Sequence, residues 1–281
     1  MIRVAETDAD LDVWARIRTS ASPRERLVRP ERSEERLLLL ADESGCARAS
    51  RSDLEGHASV AVYVVPEARR QRLGAELFDR CVAHARELGF DRLFTTVDEL
   101  SEPGIAFAAA HGFVEVDREV ELRRKIRDEH EPEPLPGIAV SSLAERPDLL
   151  EAAYEAVAVE AYADLPLPGT YAVTLEKWLE EEGAGVPEAS FVALDEGGAV
   201  VGYAGMQPGA EHGLTAVRRS HRRRGIAIHL KRRQLAWAAS AGVPELVTWT
   251  QGRNSAMQLV NERLGYVAEP AWLKFAAPLG S

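Results

Sequence analysis

Cysteine is nearly absent: 281 residues contain only Cys46 and Cys81, with no CxxC and no metal-ligand spacing. This excludes a disulfide framework and a thiolate metal centre and leads to the expectation of a reduced, cytoplasmic setting. No run approaches the roughly eighteen unbroken apolar residues of a membrane span. The opening MIRVAETDAD lacks the basic start and apolar run of a secretion signal. Net positive charge is also lacking. At -11, the chain as a whole opposes nucleic acid and anionic membrane and is mildly congenial to cationic ligands. His57, His84, His111, His130 and His229 share no metal-like spacing, so no metal is expected. No Ser-His-Asp order or nucleophile elbow occurs, which argues against a covalent acyl-enzyme.

Hydrophobic residues make up 46% and charged ones 28%, enough for two compact cores of ordinary size. Residues 128–137 (DEHEPEPLPG) are acidic, carry three prolines and have little to bury, so they read as an extended linker. The expected division is therefore 1–127, a linker at 128–137, and 138–281.

Both halves show one order of elements. A short strand (2–6; 138–143) leads to a helix through Leu11 and Trp14, or through Leu149, Ala153 and Val157. Hairpin-like pairs follow, turning near Ser44-Gly45 and at Gly197-Gly198. Then come an apolar strand, an arginine-rich turn and a long helix (57–65, 66–74, 75–88; 213–217, 218–227, 228–241). A further strand and a short helix lead to His111-Gly112-Phe113 or Leu264-Gly265-Tyr266, and a final strand is expected to close each half. This is an internal duplication of a mixed α/β unit.

Between Thr215 and Ala227 a strand stops, five arginines and Gly225 follow, and a helix begins. A helix N-terminus carries unpaired amides and partial positive charge, so it collects anions. Gly225 and the small Ala227 let backbone approach a ligand, and arginines hold phosphate oxygens through paired donors. The ligand group expected is a pyrophosphate. A nucleic-acid patch is the competing reading, disfavoured by the net charge and by the position at a turn. Lys231-Arg232-Arg233 reads as solvated helix face or a contact to a ribose 3′-phosphate, and His221 as a phosphate neighbour or exposed.

Arg222-x-x-Gly225-x-Ala227 resembles the Arg/Gln-x-x-Gly-x-Gly/Ala motif A of the GNAT acetyltransferases. Asn254-x-x-Met257-x-x-x-Asn261-x-x-Leu264-Gly265-Tyr266 looks like their motif B. The resemblance implies two tandem GNAT-like domains, each a mixed, mostly antiparallel sheet flanked by helices. It implies acetyl-CoA as co-substrate, held by Thr215, Ala216 and Val217 along the pantetheine arm, by Arg222, Arg223, Arg224, Gly225, Ile226 and Ala227 at the pyrophosphate, and by Asn254 and Asn261. The usual motif B tyrosine, often the acid for the leaving thiolate, is replaced by Asn261, which cannot release a proton near neutral pH. Water, Tyr266 or Tyr203 would serve instead, or the thiolate would leave unaided.

The first half carries a weakened copy, Val65-x-Pro-Glu-x-Arg69-Arg70-Gln71-Arg72-Leu73-Gly74, with Arg72 where the first loop glycine belongs. Arg72 would crowd the pyrophosphate path, though αR angles would tolerate it. Ser101 and Ala108 stand for the asparagine and tyrosine of motif B. This half is expected to support the other; the competing view keeps coenzyme binding here. For chemistry, Glu211 and His212 are base candidates leading into the loop, or ordinary turn residues. Tyr266 is an acid candidate, and Glu160 and Asp164 candidate cation binders or solvated carboxylates. Trp249 lines the cleft or the core. A backbone N–H near Ala216-Val217 would polarise the acyl carbonyl. The expected activity is N-acetylation of a primary amine of a small molecule by the C-terminal domain of a monomer or homodimer. The alternatives are a non-catalytic acyl-CoA-binding or sensing protein, and transfer to a protein or peptide amine.

Overall fold

In the computed structural model, residues 1–25, 29–52, 54–164 and 173–279 are described. The chain forms two compact units, 1–118 with 271–281, and 119–270. Each is a sheet flanked by helices, mostly antiparallel with one parallel pair.

The first unit orders its strands β1 (Ile2–Val4), β2 (Leu37–Ala41), β3 (Gly45–Arg51), β4 (His57–Val64) and β5 (Arg92–Asp98), with β4 and β5 parallel. α1 (Asp8–Ala21) is fixed at its start by a Thr7 capping box and buries Leu11, Trp14 and Ile17. α2 (Leu73–Glu87) follows β4, and α3 (Glu102–Ala110) follows β5.

The second unit repeats this plan. Within it, residues 119–125 of β6 (Val114–Lys125) pair with the sheet β7 (Ile138–Ser142), β8 (Phe191–Asp195), β9 (Val200–Gln207), β10 (Glu211–Val217) and β11 (Glu245–Gln251). On one face lie α4 (Leu149–Ala153), a π-helical turn at Tyr154–Ala158, α5 (Val159–Ala163) and α6 (Leu175–Gly183), packed around Trp178, Tyr203 and Val157. α7 (Ile226–Ser240) packs over Ala193, Val201 and Ala204 through Ile226 and Leu230, and α8 (Ser255–Arg263) ends at Leu264 and Tyr266 in the core beside Leu235 and Leu246. No helix among the described residues is long and apolar enough to cross a membrane.

The units divide elsewhere than at 128–137, and the closing strands are the reason. Residues 119–125 pair one-for-one with all of β11, so they complete the second sheet. β12 (Val267–Ala268) pairs with the same stretch. Pro270, which has no amide to donate, interrupts the chain before β13 (Trp272–Pro278), and β13 pairs along all of β5 in the first sheet. Each half thus begins its last strand in its own unit and finishes it in the other. Residues 128–137 have no regular structure but are tied to the second unit by Glu129–Arg124 and Glu131–Arg233 ion pairs and by Leu135 against its core.

Candidate functional site

The two arginine-rich turns have nearly the same backbone. Arg69 Nε donates to Val64 O and Arg222 Nε to Val217 O, both at 3.0 Å. Arg70 and Arg223 are left-handed, at φ 63° and 62°. The next left-handed residue, at the N-cap of the long helix, is Arg72 (φ 65°) in one unit and Gly225 (φ 83°) in the other. The αR angles expected for Arg72 are therefore not adopted; it takes the conformation that suits glycine. One constant offset carries this whole region of the first unit onto the second: Ser101 caps α3 through Gly104 N as Asn254 caps α8 through Met257 N, and Phe113 follows Gly112 as Tyr266 follows Gly265.

Among the described residues, no side chain caps α7. Its first amides are open to a ligand, and a Cβ built on Gly225 would meet nothing within 4 Å. Arg223, Arg224 and Gly225 are exposed. Arg219 and Arg222, by contrast, are held by Glu160 and Asp164: Asp164 takes both guanidiniums, and Glu160 accepts from the Arg219 amide at 2.6 Å. Hydrogen bonding from Arg219 holds the Asp164 carboxyl down at about 2. The two carboxylates read as cation binders or solvated groups thus brace the loop.

Upstream, β10 pairs in parallel with β11 only at Glu211 and Val247, and its register against β9 shifts between His212 and Thr215. Beyond that point β10 and β11 part. Thr215 on β10 and Thr250 on β11 have buried hydroxyls without partners, and Asn261 on α8 is fully buried with both amide atoms unpartnered. Orphaned buried polar atoms of this kind are costly, and each calls for a partner that the described residues do not supply.

His212 and Tyr266 are brought together, but inside the protein at 6% exposure each. His212 Nδ1–H donates to Gln234 Oε1 at 2.8 Å, since the Gln234 amide nitrogen is committed to the carbonyls of Ala189, Ala204 and Gly205. His212 Nε2 is then an acceptor, and Tyr266 O–H donates to it at 2.5 Å. Burial, with the Lys231 charge second, pushes the imidazole well below its ordinary range, and burial raises the Tyr266 phenol. The phenolic proton is occupied and the ring neutral. Glu211 is half-buried on β10, and Trp249 is half-buried on β11.

The sequence reading of Lys231, with Arg232 and Arg233, is solvated helix face or a contact to a ribose 3′-phosphate. Lys231 is 1% exposed, with its Nζ 3.4 Å from Thr248 Oγ1 and 5.4 Å above the Tyr266 ring. Burial lowers the ammonium to about 7. A run of three basic residues gives no hint of this; the signal available was the helical position, on the face that Leu230 and Gln234 also bury. Glu182 was also missed. On α6 it is 8% exposed, accepts from Tyr203 O–H at 2.7 Å, and is raised by burial. A Cβ at Gly205 would collide with Glu182 Oε2, so the glycine makes room for the carboxylate.

The first unit holds a cavity of about 440 Å³ between β4 and β5, where their pairing ends at Ser59 and Phe94. Its apolar wall includes Val62, Val97, Phe78, Ala108 and Phe113; Arg69, Arg70 and Arg72 also line it, as does Glu25, which accepts from Tyr63 O–H.

The family model for acetyltransferases of the GNAT type matches residues 8–113 and again 150–266. A GCN5-related N-acetyltransferase from Sphaerobacter thermophilus superposes with a TM-score of 0.81 at 21% identity, over 100% of this chain and 96% of the other. A tandem GNAT protein from the clavulanic acid biosynthesis pathway gives 0.73 at 20% identity, over 100% and 98%. At these identities the likeness is one of fold. No protein of curated function matches the sequence.

Proposed function

The chain belongs to the GNAT acetyltransferase family, and from that premise we propose that its second unit transfers an acetyl group from acetyl-CoA directly to the primary amine of a small molecule. The observation that carries this is the uncapped N-terminus of α7, with left-handed Gly225 at its cap and open space before it. Amides of residues 225–227, with Arg223 and Arg224, suit a pyrophosphate. The unpartnered hydroxyls of Thr215 and Thr250 and the Asn261 amide suit an amide-bearing arm between β10 and β11. When bound, the coenzyme supplies an activated acyl thioester. The chain's own part is to hold the amine nitrogen near the acyl carbon, exclude water and manage protons. Glu182, a carboxylate with a raised pKa beside the strand bulge, is the candidate to take the amine's proton in place of His212. The net charge of -11 favours a cationic acceptor.

The test is calorimetric titration of the full chain with acetyl-CoA, followed by mass spectrometry of an amine panel. Binding with a new acetamide supports the proposal. Binding without turnover on any amine turns it into a sensing role, and no binding in either the native protein or Gly225→Trp ends it.

A second reading has its own observation, the cavity beside Arg69, Arg70 and Arg72 and the uncapped α2. On it the first unit also takes an acyl-CoA. A titration stoichiometry of two per chain, falling to one in Gly225→Trp, would support it.

A further inference from the structure

The constant offset between the units tells where Lys231 stands. Phe78, Ala108, Phe113, Thr95 and Val97 line the first unit's cavity. Their counterparts in the second unit are Lys231, Asn261, Tyr266, Thr248 and Thr250. Five cleft positions that are mostly apolar in one copy thus carry a lysine, an amide, a phenol and two hydroxyls in the other. Three of these residues show the marks of a site built for something more than packing. Asn261 has two unpartnered amide atoms, Thr250 has an unpartnered hydroxyl, and Lys231 has a single long hydrogen bond, to Thr248.

A buried ammonium without a carboxylate is costly, and the usual native remedy is an ion pair. None is present: no carboxylate of the described residues forms a salt bridge with Lys231. The polar groups that face it are Thr248 on β11, the Tyr266 ring after α8, and His212 on β10. Of the titratable pair, the phenol donates its hydrogen bond to the imidazole and neither carries charge. Lys231 is therefore the one group of this cluster with a proton to give.

Resting on the acyl-transfer reading above, we infer that Lys231 is the proton donor to the sulfur that leaves when the acyl group is transferred. Lys231 gives one ammonium proton to that sulfur as the carbon–sulfur bond breaks and the carbon–nitrogen bond of the amide forms. The surplus proton of the acceptor nitrogen passes to solvent by way of its base, and solvent then recharges Lys231. Before that recharging the products are thiol, amide, a neutral lysine and one released proton; after it the ammonium is restored and no net proton is released from a neutral amine. Burial sets the ammonium near 7, below the thiol pKa of about 8.5, so the transfer runs downhill at neutral pH. Asn261 and Thr250 are the polar edge beside which the arm would pass.

The experiment uses the full chain and Lys231→Met, whose side chain is apolar like that of Phe78 in the other copy. With acetyl-CoA the variant is expected to lose about 100-fold in kcat with little change in KM. The loss should shrink to a few-fold with a thioester whose thiol is several units more acidic, because that sulfur leaves without help. Independently of turnover, NMR of lysine labelled with carbon-13 at Cε should show one resonance titrating near neutral pH in the native protein and missing from Lys231→Met. An ordinary lysine titration for Lys231, a variant with native kcat, a deficit that ignores the leaving thiol, or a stable acyl adduct on Lys231 by mass spectrometry would each overturn the inference. Failure of the parent reading looks different: the native protein would neither bind acetyl-CoA nor acylate an amine, whatever Lys231 titrates at.

Discussion

The two units share a loop backbone and differ in what lines the cleft beside it. In the first, Val62, Phe78, Val97, Ala108 and Phe113 make an apolar cavity and Arg72 occupies the left-handed cap. In the second the same positions are Thr215, Lys231, Thr250, Asn261 and Tyr266, and the cap is Gly225. The comparison teaches that a duplicated backbone does not carry its chemistry with it. The scaffold needs β4 and β5, or β10 and β11, to part at the same place; what then lines the gap is free to change. Apolar lining stabilises the unit, and polar lining costs stability unless water or a ligand supplies the missing partners.

The largest effect should come from breaking the difference at the loop. Gly225→Val places a β-branched side chain at φ 83°, a conformation such residues avoid, and points its Cβ into the space open for an anion. Acetyl-CoA affinity at the second unit should fall by about 100-fold or more by calorimetry. Any heat that survives belongs to the first unit. An unchanged affinity would mean that the loop around Gly225 does not hold the coenzyme.

Next in size is the stability cost of Lys231. Its folded pKa lies below the unfolded value of 10.5, at about 7. Between those values the unfolded chain binds a proton that the native chain does not, so this group makes stability rise with pH from about 7 to about 10.5. Below that window the cost of charging the buried amine is fully present. Lys231→Met should accordingly stabilise the second unit by on the order of 2–4 kcal/mol at pH 7, with the gain fading above pH 10. Urea unfolding at the two pH values measures it. The reciprocal change, Phe78→Lys, should destabilise the first unit by a similar amount.

How much of this could be read from sequence follows from which interactions are local. The repeated order of elements, the turn at Thr215–Ala227 and the uncapped α7 are properties of contiguous residues, and they are where the motifs put them. The exchange of closing strands was not legible, because β6 and β13 have the same alternation whichever sheet they join, and pairing partners are set by tertiary contacts. The fate of Glu160 and Asp164 was not legible for the same reason: a carboxylate that follows a helix looks solvated until a distant arginine meets it. The His212–Tyr266 pair was missed in a more instructive way. Both residues were singled out separately, and only the fold shows that His212 Nε2 accepts the Tyr266 hydroxyl hydrogen bond while His212 Nδ1–H is spent on Gln234.

A moderate effect tests the brace on the second loop. Asp164, at about 2 against an ordinary 3.8, contributes stability that is present above pH 4 and lost as pH falls through about 2. The side chain is 31% exposed, so its contribution should stay near or below 1 kcal/mol. Among the described residues the first loop has no such carboxylate pair; Arg69 donates instead to the carbonyls of Val64 and Ala21. Asp164→Asn should therefore weaken acetyl-CoA binding by the second unit a few-fold at pH 7 and leave the first loop unaffected. Hydrogen exchange across residues 218–225 against residues 65–72 would resolve the two, and equal loosening of both loops would refute the asymmetry.

The smallest expected effect concerns Arg72. A non-glycine residue at φ 65° is strained by about 1 kcal/mol, whereas Gly225 at the matching cap is not. Arg72→Gly removes the strain but gives the unfolded chain more freedom, which offsets much of the gain. The net change in stability should lie within about 0.5 kcal/mol of zero. Binding should separate the possibilities more sharply. If Arg72 merely obstructs a pyrophosphate site, its removal opens one, and acetyl-CoA stoichiometry rises by one. If Arg72 is itself the anion contact of a ligand seated in the apolar cavity, its removal lowers affinity at the first unit by about tenfold, the size of one lost charge-assisted hydrogen bond. The placement of Arg72 on the cavity wall beside Arg69 and Arg70 favours the second outcome. The substitution that restores the family pattern should then weaken the first unit's binding.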